Sequence, residues 1–503
     1  INKVAQISVP TKTSDLENNS NFTTKPYVDT HIVNKANPHN VTKEQIGLGN
    51  VDNTSDLNKP ISTATQLALD SKITTTDVKS EIIYEDLKPV NSKAVEKYAV
   101  KKINTISELR STYGEYDGQV VELLGYYQAG DKEPVVYIWT SESNIDNNGS
   151  VISTSNGSWI TNTDKIFSFK DFGAKGNGID DDSDNIQKAF DFIFNNKDKG
   201  YNSIRISKGV YNISKTIKIP YECSVIGEGI THSILNFIGN SKNAVEVRES
   251  LDTPNALIQG DTTVFKDFSV IGELHYRNPF EAFETERIRL NEDNTGILVD
   301  SVLRMTFSNI RVEGFESNGI RFSNTYYHKL SNVFCNKNKV GLTIDRTSTS
   351  IEAVNCEFRL NAQGMRIKDS YANNFTQCLF EANIANYTDK VSFDTSHMYY
   401  SGVAIVLDTC SINTFNQCYI EAHVTSKYMV GSVRNKFKDC FFAAGSHGEA
   451  FPMNSMDGFS GVILNSDDNY FIGNEYLTSY PNVTCKYYFS NSKRAYYEFS
   501  NKS

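Results

Sequence analysis

The length, composition and charge of this sequence exclude several classes of protein. The chain has 503 residues, which is too long for one ordinary domain. It contains 27 Tyr, 29 Phe and only 11 Pro, a mixture that favours β structure over a helical bundle. The formal net charge is −10 without any basic block, so no nucleic-acid partner is expected. No apolar run reaches the ~20 residues of a transmembrane helix, so no membrane insertion is expected.

The first segment, residues 1–95, is polar and nearly free of aromatic residues. It has too few apolar side chains to form the core of a compact monomeric domain. It contains NPHNVTKEQIGLGNVDNTSD at 37–56, and then Pro60 and Ser62, which suit a helix start. This segment resembles a repeat in the shafts and collars of bacteriophage tail fibres and tailspikes. The resemblance implies an elongated shaft for virion attachment or trimerisation, and the alternative is a disordered linker.

Residues 96–165 differ in character from the shaft segment. Apolar and β-branched runs, such as VVELLG at 120–125 and VVYIW at 135–139, are separated by turns rich in Gly and Asn. This pattern predicts a small antiparallel β unit. It resembles the head module that precedes the β-helix in many tailspikes.

The next passage predicts a helix after an acidic loop. Ile186, Ala189, Phe190 and Ile193 have helical spacing, and Asp182 or Ser183 can be the N-cap. We expect the acidic cluster at 180–184 to cap this helix rather than to bind a metal. The passage closely resembles the motif that opens the β-helix in the pectate-lyase-like superfamily. A helix here would plug the open end of a solenoid.

A short phrase then recurs as MTFSNI, HKLSNV, IEAVNC, NNFTQC, NTFNQC and NKFKDC, beginning at residues 305, 328, 351, 373, 413 and 435. Steps of 22 or 23 residues, with one of 40, are typical of a solenoid of short strands. A glycine before an apolar-x-apolar triplet recurs in step at Gly296, Gly319, Gly341, Gly364 and Gly402. With the resemblance, we predict an all-β fold. Its main part is a right-handed single-stranded parallel β-helix over 166–477, pectin-lyase-like, with an N-terminal capping helix.

Four cysteines, Cys356, Cys378, Cys418 and Cys440, occupy one slot of the repeat. Cysteine is among the most buried residue types, so we expect a column of reduced, inward-facing thiols rather than a metal or disulfide ladder.

Three insertions, at 273–294, 384–400 and 445–460, interrupt the coils, and the aromatic-rich residues 478–503 are expected to form a C-terminal cap or a trimer contact. Long loops on a rigid scaffold are where binding sites usually form.

The repeat also predicts a candidate catalytic pair. The third residue after the apolar slot forms a column on successive coils, namely Glu313, Asn336, Arg359, Glu381, Glu421 and Ala443. The 40-residue step contains one loop and no extra coil, so Glu381 and Glu421 should lie about one strand spacing, ~4.8 Å, apart. Two carboxylates about 5 Å apart suit a retaining glycosidase, and so close a pair favours a shared proton.

Further residues near this pair are candidates for substrate binding. Arg359 could orient an acidic sugar or a carboxylate partner, and His423 is a reserve proton-transfer group. The insertion contributes Asp394, His397, Tyr399 and Tyr400. Alternatives are an ion-pair ladder without catalysis, or catalytic carboxylates elsewhere. A lesser column, Asp345, Arg346, Asp369 and Asp408, is interpreted mostly as turn residues.

The order of these parts resembles a bacteriophage tailspike or receptor-binding protein. The resemblance implies a homotrimer that joins phage tail or baseplate proteins through its N-terminal segment, is assembled in the bacterial cytoplasm, and acts from the virion tail on a surface polysaccharide. A hydrolytic depolymerase is favoured, and for it no cofactor or metal is expected. A lyase of uronic-acid glycans, often with Ca²⁺, and a non-enzymatic adhesin remain as alternatives.

Overall fold

The computed structural model describes residues 25–36, 40–50, 61–72, 99–161, 166–240, 242–247, 258–273, 294–383, 403–421, 425–444, 459–464, 466–478, 486–490, 492 and 495–498. Its contacts divide the chain into two units, Ile1–Ala99 and Val100–Ser503. In the described residues the α-helices are α1 Lys25–Val33, α2 Thr63–Lys72, α3 Ile106–Ser111 and α4 Ser183–Asn195. Short 3₁₀ helices cover Phe169–Phe172 and Lys197–Lys199. None of these helices combines the length and the apolarity needed to span a lipid bilayer.

In the first unit, α2 begins directly after the expected start signal. The Ser62 hydroxyl accepts a hydrogen bond from the Thr65 backbone N–H at 3.1 Å, and the Ser62 carbonyl accepts one from Gln66. Ser62 therefore acts as the N-cap of the helix.

A small sheet opens the second unit. Its strands are β1 Lys101–Ile103, β2 Val120–Leu123, β3 Val135–Thr140, β4 Val151–Ser153 and β5 Ser158–Thr161, in the order β1-β2-β3-β5-β4. All pairs are antiparallel except β1 with β2. Trp139 and Trp159 pack edge to face in its core, with ring centroids 5.0 Å apart.

A buried ion pair joins this sheet domain to the start of the following β structure. The Lys132 ammonium lies 2.9 Å from an Asp171 carboxylate oxygen, and the two side chains are 2% and 5% exposed. The Tyr127 hydroxyl also donates to the Gly173 carbonyl at 2.8 Å. Because a buried charge is costly unless it is paired, these contacts favour one fixed arrangement of the two parts.

The rest of the chain is a parallel β-helix, as the repeat predicted. One face is a ten-stranded parallel sheet in the order β10-β13-β15-β17-β19-β22-β25-β28-β31-β34. Its strands are β10 Ile217–Ile219, β13 Asn243–Val247, β15 Thr295–Asp300, β17 Asn318–Ser323, β19 Val340–Asp345, β22 Gln363–Lys368, β25 Val403–Asp408, β28 Thr425–Val430, β31 Phe459–Leu464 and β34 Lys486–Ser490.

The other strands belong to a bent sheet. It starts with β6 Phe167–Ser168, β7 Asn177–Asp181, β8 Ser203–Ile206, β9 Gly209–Ile213, β11 Ser224–Gly227, β12 Ser233–Phe237, β14 Ile258–Ile271, β16 Val302–Glu313 and β18 Lys329–Asn336. From there each coil contributes two short strands. The first arm consists of β20 Glu352–Val354, β23 Asn374–Thr376, β26 Thr414–Asn416, β29 Lys436–Lys438, β32 Asn469–Ile472 and β35 Ala495–Glu498. The second arm consists of β21 Glu357–Arg359, β24 Leu379–Glu381, β27 Tyr419–Glu421, β30 Phe441–Ala444 and β33 Glu475–Thr478.

The recurring phrase marks the bend between the two arms. Its fifth residue has a left-handed backbone in every described coil, with φ near +50° at Asn309, Asn332, Asn355, Gln377, Gln417 and Asp439. Asn and Asp tolerate this conformation better than most residues. The sixth residue then points inward, and the four cysteines in that slot are each 1% exposed, which confirms that they face the interior.

Asparagine ladders connect the coils inside the helix. The buried amide oxygens of Asn413, Asn435 and Asn469 each accept the backbone N–H of the equivalent residue one coil earlier, at 3.1, 3.0 and 2.9 Å. A second ladder, built from Asn338, Asn361 and Asn383, does the same at another corner. The ladders satisfy corner amides that the strands cannot reach.

The recurrent glycines make room for the second ladder. A Cβ on Gly341 would lie 2.9 Å from the side-chain nitrogen of Asn361, and one on Gly364 would lie 2.8 Å from that of Asn383. The inclusion of Gly402 in this column was wrong. The register pairs Gln363 with Val403, so that Ala404 stands opposite Gly364.

The two ends of the β-helix differ in detail from expectation. Asp182 is the N-cap residue of α4, as predicted, but its carboxylate accepts the N–H groups of Lys175 and Gly176 at 2.7 and 2.9 Å. The first helical N–H, that of Ser183, is accepted by the Asp181 carboxylate at 3.0 Å. The sheets also extend past residue 477, because β34 pairs with β31 and β35 pairs with β32. The role of residues 478–503 as a cap or trimer contact stays a prediction.

We predict that Asn413→Ala destabilises the β-helix by about 1–3 kcal/mol, since it leaves the buried Asn373 N–H without an acceptor. The measurement is the midpoint of chemical denaturation. The matched control is Asn416→Ala, whose side chain is half-exposed on β26. Equal shifts for the two variants would contradict a structural role for the ladder.

Candidate functional site

The second arm presents alternate residues to solvent. In β21, β24 and β27 the central residues Phe358, Phe380 and Ile420 are buried, and their neighbours on either side point outward. This alternation follows from the period of two in a β-strand. The outward residues are Glu357 and Arg359, Leu379 and Glu381, and Tyr419 and Glu421. We call these six residues the second-arm strip.

The register brings the two candidate carboxylates together. Arg359 pairs with Glu381, Glu381 pairs with Glu421, and Glu421 pairs with Ala443. The expected neighbourhood of Glu381 and Glu421 is therefore present, at one strand spacing of about 4.8 Å between backbones. Their catalytic role stays a prediction.

Arg359 is engaged with carboxylates on two sides. Its Nε lies 2.8 Å from Glu381 Oε2, and one terminal nitrogen lies 3.6 Å from Glu357 Oε1. Asn336 donates to the same Glu357 oxygen at 2.8 Å. The Arg359 and Glu381 side chains are 36% and 31% exposed, so this network is open to solvent and its stabilising energy is small. Its effect is to hold both side chains in place.

Tyr419 is a member of the site that the sequence reasoning missed. Its hydroxyl donates a hydrogen bond to Glu421 Oε2, and its ring stacks on Phe441 with centroids 5.2 Å apart and planes 9° from parallel. The hydrogen bond to Glu421 raises the pKa of Tyr419 to about 12, assisted by desolvation and by the charges of Glu421 and Glu381. The sequence did contain a signal for this contact. Tyr419 precedes Glu421 by two residues, so the two side chains lie on the same face of the strand.

The structure brings together only part of the predicted site. His423, Asp394, His397, Tyr399 and Tyr400 lie outside the described residues, and so do most of the three insertions. Within the described ranges, no group of three or more His, Cys, Asp or Glu side chains is placed to hold a metal ion.

A second charged cluster lies on the outer face of the ten-stranded sheet. Arg321 contacts Asp345 at 2.8 Å and Arg366 contacts Asp408 at 3.5 Å. The interpretation of Asp345 and Asp408 as turn residues was wrong, since both end strands and pair in register with neighbouring coils. Their sequence neighbours are the corner residues, as the left-handed backbone of Arg346 shows, with φ +52°.

Comparison with known families agrees with this architecture. Residues 102–164 match the model of the phage tail protein small four-stranded β-sheet domain. Residues 166–381 match the model described as rhamnogalacturonase A/epimerase, pectate lyase-like. The first match coincides with the small sheet, and the second coincides with the first part of the β-helix. No curated protein matches the sequence.

Solved phage tailspikes share the β-helix fold. The enzymatically active domain of tailspike protein 2 from Bacteriophage CBA120 is 16% identical, with a TM-score of 0.60, over 79% of this chain and 57% of that one. The full-length tailspike protein 2 has 16% identity and a TM-score of 0.58, over 79% and 51%. The tailspike of Acinetobacter phage vb_AbaP_AS12 has 14% identity and a TM-score of 0.56, over 79% and 74%. The chain thus spans little more than half the length of the first two, and the likeness establishes the fold.

We predict that Glu421→Gln lowers the pKa of Tyr419 from about 12 toward its ordinary value, because the variant removes a charged acceptor. Ultraviolet difference titration against Tyr419→Phe isolates this one phenol among the 27 tyrosines. An unchanged titration in Glu421→Gln would show that the hydrogen bond is absent in solution.

Proposed function

We propose that this chain binds and depolymerises a bacterial surface polysaccharide, and that it does so by glycoside hydrolysis at Glu381 and Glu421. The observation that carries the proposal is the register that sets these two carboxylates side by side on an outward, half-exposed strip. A separation near 5 Å between carboxyl groups suits a retaining mechanism. The phage tail domain and the tailspike-like fold support a phage context, while the chemistry rests on the site alone.

The different partners of the two carboxylates suggest their roles. Glu381 lies 2.8 Å from the Arg359 guanidinium, which would orient its carboxylate as the nucleophile. In the described part of the chain Glu421 forms no ion pair, and its partner is the neutral Tyr419 hydroxyl. We assign the remaining role of acid/base to Glu421, which would protonate the glycosidic oxygen while Glu381 bonds to the anomeric carbon. Glu421 would then take a proton from the water that releases the sugar.

We predict that Glu381→Gln and Glu421→Gln each lower depolymerase activity by about 10²–10⁴-fold. The assay incubates the full chain with purified bacterial surface polysaccharides and follows reducing ends together with the absorbance of unsaturated uronate. The control is Glu352→Gln, an exposed glutamate on the first arm.

The same assay separates the competing functions. Reducing ends without the absorbance support hydrolysis, and both signals together indicate a lyase. Binding without either signal indicates an adhesin. Full activity in both glutamine variants would exclude the carboxylate pair as the site.

We further propose that the protein is a homotrimer held in the virion tail, attached through the shaft-like residues 1–95. The support is the phage tail domain and the resemblance of the N-terminal segment to tail-fibre repeats. Light scattering of the full chain should give three times the chain mass of 56.4 kDa. A monomeric mass at micromolar concentration would contradict the proposal.

A further inference from the structure

The second-arm strip carries excess negative charge at the proposed point of cleavage. Glu357, Glu381 and Glu421 supply three carboxyl groups against the single guanidinium of Arg359. The formal charge is −2 when all three are ionised, and −1 while Glu421 holds the proton that it donates to the glycosidic oxygen. All four side chains lie on one face of three successive strands. A glycan that docks across these coils therefore meets an acidic surface.

The guanidinium of Arg359, the cation of this strip, already forms ion pairs with carboxylates of the protein. Arg359 lies between Glu381 at 2.8 Å and Glu357 at 3.6 Å. Arg311, one of the other outward residues of the bent sheet, lies 3.9 Å from Glu313. Among the described outward residues of the second arm there is no lysine. A sugar carboxylate placed here would face like charges, and the described part of this arm offers it no uncommitted basic side chain, an arrangement that disfavours binding.

The neighbouring column offers contacts for an uncharged sugar instead. Leu379, Tyr419 and Phe441 are in register on successive coils, beside the column of carboxylates. Tyr419 is 37% exposed, so part of its side chain is available to a ligand. Apolar and aromatic side chains next to a few polar groups are what a site for a neutral saccharide requires.

We propose that the two sugars flanking the cleaved bond are uncharged, and that uronic acids are rejected at this position. The inference rests on the proposed hydrolysis at Glu381 and Glu421, whose substrate class it names. It also accords with hydrolysis rather than β-elimination, because elimination needs a sugar carboxylate next to the proton that is removed. Charged sugars elsewhere in the repeating unit are compatible with the proposal, because only the strip discriminates against them.

The test uses matched polysaccharides that differ only in charge. Purified uronate-bearing bacterial polysaccharides and their carboxyl-reduced forms are offered to the full chain, together with naturally neutral ones. Mass spectrometry of the oligosaccharide products identifies the sugars at both new ends. We expect neutral sugars at both ends, and faster cleavage of a carboxyl-reduced form wherever reduction changes a sugar beside the cleaved bond.

A charge variant tests the cause of the selectivity. Glu357→Gln removes one carboxylate from the strip. The measured quantity is kcat/KM for a carboxyl-reduced polysaccharide divided by kcat/KM for its uronate-bearing parent. This ratio should fall by about threefold or more in the variant. The matched control, Glu352→Gln on the first arm, should leave that ratio unchanged. An unchanged ratio in both variants would overturn the electrostatic cause.

The outcomes separate this inference from the function on which it rests. A saturated uronate on either side of the cleaved bond overturns the inference and leaves hydrolysis standing. An unsaturated uronate at the new end overturns both, as does a lack of any product. If the Glu381→Gln and Glu421→Gln variants release oligosaccharides with neutral ends as fast as the unsubstituted chain does, the proposed site is wrong. The inference drawn from the charge of that site is then wrong as well.

Discussion

The β-helix depends on how each coil turns its corners without leaving a buried amide unpaired. Strand ladders satisfy amides only where strands run side by side, and the corners lie between them. Asn413 shows the solution, because its side chain accepts the corner N–H of Asn373 while its own N–H donates to Asn435. Asn435 repeats this exchange with Asn413 and Asn469, so each of these side chains serves the coil before it. The left-handed residues at the bend then set the direction in which the chain leaves the corner.

The candidate site follows from this corner chemistry. Gln377 and Gln417 hold equivalent left-handed positions, with φ of +53° and +52°. The strands that leave these two corners are therefore in phase, and the fourth residue after each is a glutamate that points outward. The backbone register sets the separation of the Glu381 and Glu421 Cα atoms. A site built on such strands is held more rigidly than one built on loops.

The backbone register was predictable from the sequence, whereas the side-chain contacts were not. The repeat period alone predicted the register of Arg359, Glu381 and Glu421. A shift of one residue would exchange the buried and the solvent-facing side chains of the strand, so the register is strongly constrained. Side-chain partners were less accessible. The pairing of Arg359 with Glu357 and the hydrogen bond from Tyr419 depend on rotamers, which the period does not encode. Asp345 was misassigned for a related reason, since the corner falls one residue later, at Arg346, and only the backbone dihedrals reveal it.

The long interval in the repeat has a physical consequence for the site. Asn373 and Asn413 are 40 residues apart, yet their ladder bond of 3.1 Å matches the 3.0 Å bond between Asn413 and Asn435, which are 22 apart. The insertion between 383 and 403 therefore leaves the register of the coils intact. Loops on such a scaffold tolerate changes of length and sequence at little cost to the fold. A change in the length or sequence of this insertion can therefore leave the register of Glu381 and Glu421 unchanged, because the strand pairs and the asparagine ladder keep the coils in phase.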